Sequence, residues 1–206
     1  MRDTGEISRA DEHLSSPSAP DASSSAESAT AAGLEVAAIA TPWPAVLILI
    51  ALGSLLFLSN LGGYPLYTKG EPREAVTVLN MVHGGGIILP MRAGVEIPSK
   101  PLLMHWMAAA LSFALGGVTE LSVRLPSALL AIAGMIICYL YVRRLFDEKV
   151  ALLAAVFLGT TFQYLQAGTG SRVDMTLTFF LEVALFEFIA IAEGITSRRT
   201  LLYVAI

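Results

Sequence analysis

Four runs of this chain, residues 43–58, 125–142, 150–168 and 175–192, carry no charged side chain except Glu182 and Glu187. A helix needs about 20 mostly apolar residues to cross the roughly 30 Å hydrocarbon core of a bilayer. Backbone polar groups in lipid must be satisfied within the segment itself, so runs of this kind have to be helices. The sequence therefore predicts an all-α fold, a polytopic transmembrane helical bundle. A fifth apolar run begins at Leu201 and reaches Ile206, the pattern expected of the amino-terminal part of a longer protein. Composition agrees: 55% of residues are hydrophobic and 15% charged, against about 45–50% and 25% in soluble domains. A net charge of -4 with no basic stripe excludes nucleic acid as a partner. The single cysteine, Cys138, forms no internal disulfide.

Residues 1–40 hold seven acids and two bases, and the Ser/Ala/Pro-rich stretch 15–32 has almost no large apolar side chain. Such a segment buries too little surface to offset its ordering entropy, so we expect a disordered cytoplasmic tail. It lacks the basic start and immediate apolar core of a signal peptide. Arg143, Arg144 and Lys149 follow one run, and Arg198 with Arg199 follows another. The positive-inside rule puts both clusters in the cytoplasm, which leaves residues 169–174 outside.

The segment 61–124 is then an outer loop with structure of its own. Ala75, Val78, Leu79 and Val82 share one helical face, and Gly84-Gly85-Gly86 breaks the pattern. The apolar stretch 102–115 is marginal as a span, and since a crossing there would put the basic clusters on the wrong side it is expected as an outside-facing juxtamembrane helix. This arrangement puts Lys69, Glu71, Arg73, Glu74, Lys100, Arg172 and Asp174 on one outer side, at the membrane boundary. Acids and bases converging there from two loops could hold a charged substrate, a metal ion, or both.

Four motifs in order resemble those of the polyprenyl-phosphate-sugar-dependent glycosyltransferases of the GT-C fold, a group that includes the aminoarabinose transferases acting on lipid A and the protein O-mannosyltransferases. They are Gly70-Glu71-Pro72-Arg73-Glu74-Ala75, then Ser99-Lys100-Pro101-Leu102-Leu103-Met104-His105-Trp106, Arg124-Leu125-Pro126-Ser127-Ala128, and Ser171-Arg172-Val173-Asp174-Met175. Two positions depart from the family pattern: Gly70 stands where an Asp leads the first motif, and Ser99 stands where a Glu precedes the lysine. The resemblance covers nearly everything beyond the tail and implies that residues 41–206 are the amino-terminal part of a transmembrane glycosyltransferase domain.

What the resemblance implies is sugar transfer, with inversion, from a polyprenyl-phosphate donor to a lipid, glycan or protein acceptor. The site would lie on the periplasmic face of a bacterial inner membrane. That chemistry needs a base for the acceptor's proton and cations for the departing phosphate. On this reading Glu71 and Asp174 are the catalytic carboxylates, and they are also the candidate ligands of a divalent cation. Lys100 is the phosphate contact, joined by Arg73 and Arg172, because Arg offers a bidentate fork and Lys a point charge.

Glu182 and Glu187 lie inside an apolar run, where ionisable groups are costly and often functional. Five residues apart, they stand about 140° apart around a helix and do not share a face. They carry the alternative class, a secondary transporter; a catalytically inactive membrane scaffold is the other alternative. His83 and His105 are expected to pack, and Trp43, Tyr64 and Trp106 to sit in an interfacial aromatic belt.

Overall fold

The computed structural model describes residues 43–67, 70–92 and 96–194. The tail assigned to residues 1–40, Lys69, Arg198, Arg199 and the run from Leu201 lie outside the described residues. Seven helices occur among those described: α1 (Trp43–Leu58), α2 (Glu71–Val82), α3 (Leu103–Leu115), α4 (Glu120–Leu145), α5 (Glu148–Thr160), α6 (Phe162–Thr169) and α7 (Val173–Ala192). The only pairing of extended backbone among them is an isolated bridge between Arg92 and Glu96. The all-α membrane bundle expected from hydropathy is the observed architecture.

Helix α4 is the hub, packing against α1, α3, α5, α6 and α7. It begins earlier than its apolar run because Thr119 caps it: Ser122 N–H donates to Thr119 Oγ1, and Thr119 N–H donates to Ser122 Oγ. That early start winds Arg124 into the helix. The core around α4 joins Leu49 and Phe57 of α1, Ala128, Ala131 and Met135 of α4, Ala151 and Ala155 of α5, Tyr164 of α6 and Met175 of α7. Many contact positions are small, as expected where lipid offers no hydrophobic drive and helices gain by close packing. Leu47, Ile48, Ile50 and Leu55 on the other faces of α1 are exposed, as apolar all-round helices are when lipid covers them.

Among the described residues two helices, α4 and α7, are long and apolar enough to cross a membrane, and α5 with α6 would make a third if the bent pair is one span. The run 150–168, expected as one straight span, is broken at Thr161 into α5 and α6, bent by 64°. Carbonyls near the break find hydroxyl donors. Thr160 Oγ1 donates to Val156 O and Thr161 Oγ1 to Leu158 O, both at 2.8 Å, which makes a break tolerable at membrane depth. Helix α1 has 16 residues and α3 has 13, so both are short for a span.

A second, smaller core belongs to the segment between α1 and α4. Ala75, Val78 and Met81 of α2 meet Ala108 and Ala109 of α3 and Val123 at the start of α4. The face expected from Ala75 and Val78 is the buried one, whereas Leu79 is exposed. Gly116 ends α3 with φ 81, a left-handed conformation that glycine adopts without steric cost.

Candidate active site

Helix α2 presents two carboxylates to the interior. Glu71 and Glu74, three residues apart, lie on the same side of the first turn, and each is only 2% exposed. Their burial is a large desolvation cost unless each finds a cation, and each does.

Glu71 is held by Arg124, which is fully buried. Arg124 Nε donates to Glu71 Oε1 at 3.0 Å and Nη2 to Oε2 at 3.1 Å, a bidentate pair. The remaining guanidinium hydrogens go to backbone carbonyls: Nη1 to Leu61 O and Tyr64 O, both at 2.9 Å, and Nη2 to Pro65 O at 3.1 Å. All five donors of the guanidinium are thus used. Its plane also lies over the Tyr64 ring, 3.9 Å from the centroid. Tyr64 is therefore part of this clamp rather than an interfacial belt residue. Ser171 N–H also donates to Glu71 Oε1, at 2.9 Å, which ties the turn before α7 to the start of α2.

Glu74 is held differently. Its Oε2 lies 2.8 Å from His105 Nε2, and its Oε1 lies 3.5 Å from Lys100 Nζ. His105, expected only to pack, is a fully buried partner of a carboxylate. Burial resists ionisation of Glu74, but the His105 hydrogen bond and charge, with Lys100 and Arg92, outweigh it and hold the carboxyl below its ordinary 4.5. A depressed folded-state value means that ionised Glu74 stabilises the fold above about pH 4.5 and that this contribution is lost as pH falls through the lower folded value. The thermal midpoint of the detergent-solubilised protein should therefore drop on acidification below about pH 4.5, and Glu74→Gln should flatten that part of the profile.

These side chains surround a cavity of about 430 Å³ lined by Gly70, Glu71, Arg73, Glu74, Lys100, Ser171 and Arg172. Four of the five residues expected at the site, Glu71, Arg73, Lys100 and Arg172, line it. Asp174 does not: it is 54% exposed and accepts from Arg172 Nε at 3.1 Å. Glu96, near Ser99, pairs with Arg92 at 3.1 Å. Gly70 has φ 110, a backbone angle that L side chains rarely adopt. The departure from the family's Asp is thus matched by a local conformation that favours glycine.

A divalent cation does not fit the expected pair. Both oxygens of Glu71 already face the guanidinium, Asp174 stands outside the cavity, and no three His, Cys, Asp or Glu side chains among the described residues converge on a point. Arg124, His105 and Ser171 were given no role at the site by their sequence context, and Glu74 was grouped with the converging charges without a role of its own, although its three-residue spacing from Glu71 puts both on one helix side.

The membrane-embedded carboxylates part company, as their spacing requires. Glu187 accepts from the Tyr141 hydroxyl. Glu182 turns toward Gly134, beside the Tyr164 hydroxyl, and its two buried oxygens make no hydrogen bond among the described residues.

Comparison with known proteins bears on this arrangement. The family described as dolichyl-phosphate-mannose-protein mannosyltransferase matches residues 99–206. An undecaprenyl phosphate-alpha-4-amino-4-deoxy-L-arabinose arabinosyl transferase of Pseudomonas fluorescens is 26% identical over 95% of this chain and 33% of its own length. A transferase of the same name from Shewanella sediminis is 31% identical over 72% of this chain and 27% of its own. An uncharacterized Aquifex aeolicus protein is 28% identical over 64% and 26%. The chain therefore spans about a third or less of the relatives it matches. No solved structure matches it. Since the family match covers just over half of its residues, including Lys100, Arg124 and the Ser171-Arg172 turn, the chain belongs to the dolichyl-phosphate-mannose-protein mannosyltransferase family.

Proposed function

We propose that the protein is a membrane glycosyltransferase that moves a sugar, with inversion, from an undecaprenyl-phosphate-type donor to a lipid, glycan or protein acceptor. The observation that carries this reading is the convergence of Arg73, Lys100 and Arg172 on one cavity whose buried carboxylates already have partners. With Arg124 paired to Glu71, Lys100 beside Glu74 and Arg172 bonded to Asp174, Arg73 leaves one positive charge in excess. The surplus suits a phosphate that gains charge as the sugar leaves. The relatives' names, which specify an undecaprenyl-phosphate-linked donor, support that choice of donor.

The outer-face placement rests on geometry and charge together. Arg124, at the cavity, and Arg143, in the basic cluster, lie on one helix, and 19 residues at about 1.5 Å each separate them by about 29 Å. That length matches the hydrocarbon core of a bilayer, about 30 Å. With the basic cluster cytoplasmic, the cavity opens at the periplasmic face of the inner membrane, and residues 41–206 contribute the first part of the catalytic domain.

In this reading Lys100 meets the donor phosphate, with Arg73 and Arg172 beside it, and Asp174 restrains Arg172 from outside the cavity. Lys100→Ala in the intact protein should weaken undecaprenyl-phosphate binding in native membranes on the order of tenfold to a hundredfold, the value of a charge-assisted hydrogen bond. Asp174→Asn should change it by less than about threefold, because an exposed pair contributes little. Equal binding by the Lys100 variant and the wild type would remove the phosphate from this cavity.

One observation favours the transporter alternative, the two unbonded buried oxygens of Glu182 at membrane depth. Solute flux abolished by Glu182→Gln, in a protein that turns over no lipid-linked sugar, would decide for it.

A further inference from the structure

Two buried polar atoms beside the cavity make no hydrogen bond among the described residues: Glu74 Oε1 and His105 Nδ1. They belong to one pair, joined at 2.8 Å through Glu74 Oε2 and His105 Nε2. His105 is fully buried on α3, so this contact fixes the carboxylate from behind. The other oxygen, Oε1, is left with only the ammonium of Lys100 at 3.5 Å. Both Glu74 and Lys100 line the cavity. A buried acceptor without a donor is costly, and this one stands ready for a ligand group that carries a proton. Glu71 offers no equivalent: Arg124 occupies both of its oxygens and Ser171 N–H adds to one.

We propose that Glu74 is the catalytic carboxylate of this cavity, removing the proton of the sugar acceptor's hydroxyl, and that His105 is the residue that positions it. The assignment rests on the glycosyltransferase reading above. In the step, the acceptor O–H bond breaks and its proton passes to Glu74 Oε1. The acceptor oxygen bonds to the anomeric carbon of the donor sugar. The anomeric bond to the phosphate oxygen breaks, and its electron pair leaves with the polyprenyl phosphate. Lys100 then has two partners in turn, Glu74 before the donor binds and the phosphate as it departs. Keeping Glu74 ionised is what its surroundings do: burial opposes the charge, while His105, Lys100 and Arg92 together favour it.

The test uses the intact protein in native membranes. Undecaprenyl phosphate is the binding probe, and undecaprenyl-phosphate-linked 4-amino-4-deoxyarabinose and mannose are the turnover probes. Glu74→Gln should lower turnover by about a hundredfold or more, the usual contribution of a general base. Its binding of undecaprenyl phosphate should be unchanged or tighter, because a negative charge beside Lys100 has been removed. His105→Ala should cost turnover about tenfold or more through a misplaced carboxylate. His105→Gln, which keeps an N–H donor near the Nε2 position, should restore most of it. Turnover by Glu74→Gln within about threefold of wild type would overturn the assignment. So would a joint loss of phosphate binding and turnover in that variant, which marks a structural role. Wild-type protein that binds undecaprenyl phosphate but turns over neither donor would instead sink the glycosyltransferase reading, and this assignment with it.

Discussion

Arg124→Ala is expected to destabilise the folded protein by about 3–5 kcal/mol, the usual cost of removing one partner from a buried ion pair. The loss would come from what stays behind. Glu71 would keep a buried charge with no guanidinium, and the carbonyls of Leu61, Tyr64 and Pro65 would lose their donor. Arg124→Lys should rescue little of this, because one ammonium with three donors cannot meet five acceptors arranged around a planar fork. The check is the monodisperse yield and thermal midpoint of the intact protein in detergent. Glu71→Gln should also destabilise, and combining it with Arg124→Met should cost less than the sum of the two changes, since residues of one network couple. A thermal midpoint for Arg124→Ala equal to that of wild type would show that the clamp does not hold the segment between α1 and α4. The pairing gives Glu71 a job that needs no chemistry: with Ser171 N–H on the same carboxylate, it joins the start of α2 and the turn before α7 to the head of α4.

Gly168→Leu is the second large expected effect, at about 3 kcal/mol of destabilisation or somewhat more from overpacking. A Cβ at this position would stand 2.7 Å from two Phe57 ring atoms and 2.8 Å from Ala131 Cβ. No side-chain rotation of Ala131 can relieve such a contact, so α6 would have to move away from α4. That movement would strain the Tyr164 hydroxyl bond to Ala131 O, now 3.0 Å, and the edge-on contact of Tyr164 with Phe57. Gly168→Ala should show a smaller loss in the same direction. Thermal midpoints in detergent check this, with Gly117→Ala, outside the helices and with nothing within 4 Å, as the substitution that meets no neighbour. Equal midpoints for Gly168→Leu and wild type would mean that the close approach of α6 is not what seats it.

Helix α6 also marks a limit of reading by hydropathy. The run 150–168 is uncharged and mostly apolar, and hydropathy alone describes one span. The break at Thr161 depends on two adjacent threonines whose hydroxyls reach carbonyls of the preceding turn. It also depends on Gly168 and Tyr164 fitting against α4. Neither is visible as a charge or a proline. Spans built on the strongest signals came through with their identities intact and their ends moved, as at Thr119, whose reciprocal bonds with Ser122 extend α4 to include Arg124.

The same divide runs through the candidate site. Lys100, Arg73 and Arg172 were legible because a charge at the border of an apolar run has few other uses, and all three line the cavity. Asp174 was legible for the same reason, yet it points outward and pairs with a residue two positions away. The partners of the buried carboxylates were not legible: Arg124 is 53 residues from Glu71, and His105 is 31 from Glu74. By itself the sequence determined the helical membrane bundle and the family resemblance, and it gathered the charges of the two loops into one candidate site. Each of these follows from local hydropathy, charge or short motifs. Only the tertiary structure decided which carboxylate is locked by a guanidinium and which keeps an oxygen without a hydrogen bond beside Lys100. That choice depends on which faces of α2 meet α3 and α4, and packing across long sequence separations sets it.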